Sequence, residues 1–320
     1  MRVAENLLEL IGQTPMVALH RINPIKGVRL LAKLEYFNPG GSVKDRIGIA
    51  MIEAAERTGK LKPGDWIVEP TSGNTGVGLC IAAILKGYRV ICTMPDKVSQ
   101  EKINLLKAYG AEVIICPTAV APEDPRSYYS VARQIAKERP AFLPNQYENL
   151  ANPEAHYRTT GPEIWEQTNG QLDAFVAGIG TGGTISGVGK FLKEHNPKIK
   201  IVGADPEGSM IYSEFYKLPH DVHTYFIEGI GEDIIPGALN LSVIDEIIRV
   251  TDREAYQMAR ELARKEAILT GSSGGAALVA ALRYAEKLQK GTIVVIIPDT
   301  GRQYLSKVYS DEWLREHGLL

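Results

Sequence analysis

Short apolar runs alternate with helix-like stretches along most of this chain, and that alternation is its strongest constraint on fold. "DWIVEP" (65–70), "YRVICTMP" (88–95) and "AEVIICP" (111–117) read as strands. Between them "VGLCIAAILKG" reads as a helix closed by Gly87, and "SQEKINLLKAYG" as a helix from an N-cap at Ser99 to Gly110. The pattern resumes with the strand "LDAFVAGIG" (172–180), the helix "ISGVGKFLKEH" (185–195) and the strands "IKIVGAD" (199–205) and "TIVVIIPD" (292–299). Strands separated by helices of about ten residues build βαβ units and a parallel sheet. Strands apolar on both faces are those that helices cover on both sides. The fold class expected is α/β, with parallel-type sheets flanked by helices. The 320 residues leave room for two domains. The stretch 117–153, with its prolines and asparagines, reads as loop and as the crossing between them.

Composition removes several functions. The formal net charge of -2 provides no basic field for nucleic acid. No apolar run reaches the ~20 residues of a membrane span, and "MRVAENLLELIGQTP" has no apolar core of a signal peptide. Cys80, Cys92 and Cys116 sit in apolar runs without a CxxC pairing and read as core residues in a reducing compartment. No metal site is expected, and the expected location is cytoplasmic.

In open α/β sheets ligands gather at the turns that follow the strands, and three turns here carry chemistry. In "EPTSGNTGVG" (69–78) the side chains of Thr71, Ser72, Asn74 and Thr75 join the free N–H groups of a helix start, a setting for a small carboxylate. One cap needs only one such residue. In "AGIGTGGTISG" (177–187) Gly180, Thr181, Gly182, Gly183 and Thr184 form a bare-backbone cradle suited to phosphate. The same turn fits G-x-G-x-x-G at Gly178, Gly180 and Gly183, with Asp205 ending the next strand, so a nicotinamide-dependent oxidoreductase competes on this motif. The third turn is "NPGGSVKDR" (38–46). Ser42 reads as an N-cap with Asp45 three residues on, and Ile47, Met51 and Ala54 follow at helical spacing. Lys44 then stands in a first helical turn, where the dipole disfavours a cation and favours the neutral amine that attacks an aldehyde. Gly40 and Gly41 would leave room for a cofactor ring, and Asp45 and Arg46 read as a surface or interface pair.

A phosphate cradle, a carboxylate turn and an activatable lysine share one explanation. Pyridoxal phosphate carries a phosphate and an aldehyde, and an amino acid substrate brings the carboxylate. A nicotinamide enzyme would leave Lys44 and the 71–75 turn unused.

These stretches resemble the fold-type II pyridoxal-phosphate enzymes, the cysteine synthase and cystathionine β-synthase family, from "LIGQTPMVAL" to "SDEWLREHGLL". The resemblance implies pyridoxal 5'-phosphate bound to Lys44 of "GGSVKDR" as a Schiff base, and a tryptophan synthase β-like fold. "TSGNTG" is similar to the loop that grips the substrate carboxylate through Thr71, Ser72 and Thr75, with Asn74 bonded to the cofactor's ring oxygen. "GTGGT" is similar to the phosphate loop, 180–184, and "NQY" to a segment whose Gln146 also meets the carboxylate. "GSSGG" resembles the segment whose serine faces the pyridine nitrogen; aligning the glycines selects Ser273, with Ser272 adjacent.

The implied reaction is β-replacement on serine or O-acetylserine, with the Lys44 amine as general base. "GADPEGS", "EGIGEDIIP" and "PDTGRQYLSKVYSDEWL" resemble cystathionine β-synthases more than cysteine synthases, which implies homocysteine as acceptor, with Tyr147 and Gly229 along its path. Cysteine synthase using sulfide is the runner-up, and a catalytically idle binding or regulatory homologue is the reading from another class. The resemblance implies a smaller domain, 41–150, with the carboxylate loop, and a larger one, 1–40 plus 151–320, with the phosphate loop, the cofactor lying in the cleft between. It also implies a homodimer with small-molecule amino acid and thiol substrates. Neither the haem-binding extension nor the paired regulatory modules of longer members are expected.

Overall fold

The structure is a computed structural model that describes residues 3–71, 73–96, 98–121 and 123–320. In chain order its elements are β1 Met16–Leu19, β2 Val28–Leu34, α1 Lys44–Arg57, β3 Trp66–Pro70, α2 Asn74–Lys86, β4 Arg89–Pro95, α3 Gln100–Ala108, β5 Glu112–Cys116, α4 Tyr128–Glu138, β6 Ala141–Phe142 and α5 Ala151–Arg158. There follow α6 Thr160–Gln167, β7 Ala174–Gly178, α7 Gly183–His195, β8 Lys200–Pro206, α8 Met210–Tyr216, β9 Glu246–Val250, α9 Asp252–Glu266, α10 Ser272–Leu288, β10 Gly291–Ile297 and α11 Asp311–Glu316. Contacts divide the chain into two compact units. One takes the segment ending at Gly12 with Asn38–Asn152; the other takes Gln13–Phe37 with Pro153–Leu320.

The larger unit is built on a six-stranded sheet in the order β1-β2-β10-β7-β8-β9. β1 runs antiparallel to β2, and every other pair is parallel. Side chains along these strands alternate between two buried faces, as the period of two requires. Leu30, Ala32, Val176, Ala204 and Val295 face one core with Ala277, Leu278 and Ala281 of α10. Leu31, Phe175, Ala177, Ile201 and Val294 face another with Ile185, Val188 and Leu192 of α7. A core in which each Leu-to-Ala truncation costs ~2–5 kcal/mol is a stiff base for the turns at its strand ends.

The smaller unit carries a four-stranded, all-parallel sheet in the order β5-β4-β3-β6. The apolar α2 is buried over most of its length, and α1 crosses it with the backbones in contact. A Cβ on Gly78 would lie 2.5 Å from the Lys44 carbonyl oxygen, and one on Gly48 would lie 2.4 Å from the Gly78 carbonyl carbon. Only glycine permits this approach, and it pins the first turn of α1 to α2.

The structure departs from the sequence expectations at four places. α1 begins at Lys44 with Val43 at the cap and no side-chain cap, and Ser42 Oγ instead accepts from the Lys44 N–H at 3.2 Å. Asp45 and Arg46 are buried rather than superficial. The Asp45 carboxylate accepts from the Gly40 N–H at 2.5 Å, and a Cβ on Gly40 would strike that carboxylate, so Gly40 makes room for Asp45. The stretch 117–153 is not loop throughout: it contains α4, capped by Ser127, and β6. Its helical spacing of Tyr128, Ala132 and Ile135 was masked by the prolines and polar residues before it. Finally, the segment ending at Gly12, expected with the larger domain, belongs to the smaller unit.

Candidate active site

In the smaller unit Lys44 is the first residue of α1 and is half-buried. The Gly78 contact places its backbone one turn along α2 from Asn74, the first residue of that helix. α2 starts without a side-chain cap and without an acidic residue in its first turn, so its leading N–H groups and its dipole favour an anion. Before it, the buried Thr71 donates its N–H to the Thr93 carbonyl at 3.0 Å, and its Oγ1 accepts from the Gly73 N–H at 3.0 Å. Ser72 lies outside the described residues. Thr75 and Gln146, expected to share one task from positions far apart in sequence, are in contact: Thr75 Oγ1 donates to Gln146 Oε1 at 2.6 Å. That bond turns the amide nitrogen of Gln146, with its two donors, away from Thr75. Tyr147 is half-buried and meets the Tyr129 ring edge-on.

Glu69, to which the sequence assigned no role, holds the Gln146 segment. It is fully buried at the end of β3, and its two oxygens accept the N–H groups of Asn145 at 2.8 Å and Gln146 at 3.0 Å. Burial pushes its carboxyl up to about 7, and the two backbone hydrogen bonds oppose that rise.

In the larger unit the turn after β7 is a tight cradle. Gly182 caps α7 with φ 80° and no side-chain cap, and the first turn of α7 has no acidic residue. A Cβ on Gly180 would lie 2.6 Å from the Gly229 carbonyl oxygen, and one on Gly182 would lie 2.5 Å from Leu239 Cβ. The Gly231 N–H donates to the Ile179 carbonyl at 2.7 Å, so the segment carrying Gly229 is stitched to the cradle. Thr181 is buried, and Thr184 Oγ1 lies 3.2 Å from His156 Nε2. His156 is itself buried, with Nδ1 2.9 Å from Thr160 Oγ1. This buried histidine orients a cradle hydroxyl, and no motif around it signals that in the sequence.

α10 starts beside the same segment. Ser272 Oγ accepts from the Glu228 N–H at 3.0 Å. Ser273 is buried in the same turn, again without an acidic neighbour or a side-chain cap. Asp299, bonded by the Tyr304 hydroxyl at 2.5 Å, accepts from the Gly271 N–H at 3.2 Å and fixes the helix start.

Asp205 does not occupy a ribose-binding position. It is fully buried, pairs in register with Arg249, and accepts from the Tyr212 N–H at 2.9 Å in the first turn of α8. Burial raises its carboxyl to about 7 against the opposing pull of its hydrogen bonds and the Arg249 cation. A carboxyl whose pKa is raised in the folded state binds more protons there than in the unfolded chain, so its contribution to stability falls as pH rises from about 4 to about 7. Asp205→Asn keeps the shape and an acceptor oxygen. Between pH 5 and pH 8 the variant should therefore gain stability relative to the parent, by on the order of 2 kcal/mol. Thermal melts of both proteins check this, and a difference independent of pH would contradict it.

Three helices, α2 of the smaller unit and α7 and α10 of the larger, thus open with neither a side-chain cap nor an acidic residue. By contrast, α9 opens with a full capping box and two acids. In the smaller unit the Lys44 amine is the group that an aldehyde requires, and in the larger the uncapped start of α7 with the Thr181 and Thr184 hydroxyls is a setting that a phosphate requires. The chain belongs to the pyridoxal-phosphate dependent enzyme family, whose profile matches residues 7–299. Its cofactor is pyridoxal phosphate, and the residues present fit that group.

Within this family the chain is similar to both cystathionine β-synthases and cysteine synthases. It is 47% identical to cystathionine beta-synthase of Oryctolagus cuniculus over 100% of this chain and 59% of that protein. It is 49% identical to cysteine synthase of Staphylococcus aureus over 94% of this chain and 96% of that protein. The chain therefore spans somewhat more than half the length of the mammalian relative. Among solved structures, a hydrogen sulfide-producing enzyme of Fusobacterium nucleatum superposes with a TM-score of 0.89 at 39% identity, over 95% of this chain and 99% of the other. O-ureido-L-serine synthase superposes with a TM-score of 0.90 at 35% identity, over 98% of this chain and 100% of the other. Among the described residues no helix is long and apolar enough to cross a membrane, and no group of His, Cys, Asp and Glu could hold a metal ion.

Proposed function

We propose that the protein catalyses β-replacement on serine or O-acetylserine with a thiol, with homocysteine as acceptor and cystathionine as product. The observation that carries the reading is the Thr75–Gln146 contact at the acid-free start of α2, which supports a site for an amino acid carboxylate. Lys44 and Asn74 from the smaller unit hold the cofactor together with 180–184 and Ser273 from the larger. Ser273 meets the ring nitrogen, the position that aligning the glycines of 271–275 selects. Bound pyridoxal phosphate supplies an aldehyde for the Lys44 amine and an electron sink for the α-carbon of the donor. Thr71, Ser72, Thr75 and Gln146 orient the donor through its carboxylate. The Lys44 amine, uncharged when released, takes the α-proton as general base. Tyr147 and Gly229 border the acceptor's path.

A second reading, cysteine from sulfide, is supported by the 49% identity to the Staphylococcus aureus cysteine synthase, beside 47% to the cystathionine beta-synthase of Oryctolagus cuniculus. A crossed assay decides between them. Cofactor-loaded protein is offered serine or O-acetylserine with homocysteine or sulfide, and products are identified by mass. Cystathionine is the expected main product. Cysteine formed from sulfide at much higher efficiency would overturn the choice of acceptor, and no turnover with any pair would indicate an idle homologue. We also propose a cytoplasmic homodimer, in keeping with the family resemblance.

A further inference from the structure

β6 pairs with β3 over only two residues, Ala141 opposite Trp66 and Phe142 opposite Ile67. Beyond Phe142 the chain leaves the ladder through Pro144, and backbone pairing can no longer set its position. Two residues further along β3, Glu69 takes over. Its carboxylate accepts the N–H groups of Asn145 and Gln146, one on each oxygen. Asn145 adopts a left-handed φ of 51°, a conformation that asparagine tolerates better than most non-glycine residues. Its carbonyl in turn accepts from the N–H groups of Glu148 and Asn149 at 3.0 Å each. The same segment is tied at two more points: Gln146 Oε1 by Thr75 at 2.6 Å, and the Gln146 carbonyl by Asn152 Nδ2 at 2.9 Å.

A fully buried carboxylate is an expensive way to hold a loop, since taking the charge out of water costs several kcal/mol. Its neighbour across the sheet is Cys92, and Gly76 of the carboxylate turn packs on that cysteine's Sγ. Two parallel acceptors aimed at two successive N–H groups do one thing that an apolar residue cannot. They fix the position and the rotation of the peptide from which the Gln146 side chain departs.

We infer that Glu69 is a positioning residue for the donor amino acid: by clamping the Asn145 and Gln146 N–H groups it holds the Gln146 amide, against Thr75, at the distance a substrate carboxylate needs. The inference rests on the reading that Thr75 and Gln146 bind that carboxylate, and it adds a residue that would never touch the substrate.

Glu69→Gln keeps size and shape but exchanges one acceptor oxygen for an NH2 group facing an N–H. Donor affinity is read as the half-saturating concentration for the change in cofactor absorbance on titration with serine or O-acetylserine, without acceptor. At pH 8, above the value of about 7 to which burial pushes the Glu69 carboxyl, losing one charge-assisted bond should raise that concentration by roughly 10- to 100-fold, with cofactor retention unchanged. Amide hydrogen exchange should quicken at Asn145 and Gln146. Gln146→Ala should weaken donor binding by itself, and adding Glu69→Gln to it should weaken binding by less than about threefold more, because the two act through one contact. If Glu69→Gln does not fold, Asn152→Ala loosens the same peptide from its carbonyl side and should weaken donor binding by roughly 3- to 10-fold. Unchanged donor affinity in Gln146→Ala would overturn the carboxylate reading and this inference with it. An effect of Gln146→Ala alongside none from Glu69→Gln or Asn152→Ala, or fully additive effects, would overturn the positioning role while leaving the carboxylate reading standing.

Discussion

Replacing Lys44 with alanine is expected to lower turnover by at least about a thousandfold and to abolish the visible absorbance of the cofactor-loaded protein, with the fold intact. A positioned general base alone contributes about 10²–10⁴-fold, and Lys44 is assigned the further task of holding the cofactor. The local structure explains why a lysine stands there. As the first residue of α1 it faces the positive end of the helix dipole, a placement that costs a cation ~0.3–1 kcal/mol. The Gly48–Gly78 crossing fixes its backbone against α2, so the amine cannot escape by a shift of the helix. Lys44→Arg separates charge from nucleophilicity. Arginine keeps the cation but does not deprotonate in proteins, and it is expected to be as inactive as alanine. Full activity in Lys44→Arg would assign Lys44 a merely electrostatic role.

The second large effect is expected at Gly182. Alanine there would hold a left-handed backbone at φ 80°, costing ~1–2 kcal/mol. Its Cβ would also lie 2.5 Å from Leu239 Cβ, so the turn must move. The N–H groups it aims belong to the uncapped start of α7, and a displaced cradle loses hydrogen bonds to phosphate. Each charge-assisted bond is worth ~1.5–3 kcal/mol, so affinity for pyridoxal phosphate should fall by about a hundredfold or more, measured by titrating the cofactor-free protein. Gly87→Ala is the control. Gly87 caps α2 with φ 79°, and nothing lies within 4 Å of its added Cβ. It should cost the same left-handed backbone strain without the clash and leave cofactor affinity unchanged. Equal loss in both variants would mean that the effect is general destabilisation.

Much of this site was legible because it lies in turns whose residues exceed what a turn needs. The strands 65–70, 88–95 and 111–117 and the helices between them declare themselves by apolar runs and by Gly87, which caps α2 in the left-handed conformation expected of it. The cradle at 180–184 and the 71–75 turn stand at strand-to-helix junctions, as their glycines and hydroxyls implied. What stayed hidden depends on partners distant in the chain. Glu69 looks like any polar residue before a proline until Asn145 and Gln146 fold onto it. His156 gains its place from Thr160 and Thr184. Asp205 has the spacing of a ribose ligand, yet it is spent on the first turn of α8. Ser42 has the right neighbours for a cap, but the buried Asp45 turns toward Gly40 and the helix starts later. β1 and β2 lack flanking helices, so the alternation that reveals the other strands does not reach them.

Lys44 is expected to hold the cofactor through which this chain works. The most direct measurement is borohydride reduction of the loaded protein, followed by digestion and mass spectrometry of the peptides. A pyridoxyl mass increment is expected on Lys44, within "GGSVKDR", and its loss when serine or O-acetylserine is added before the reductant. An increment on another lysine, or a catalytically active protein that carries none, would contradict it.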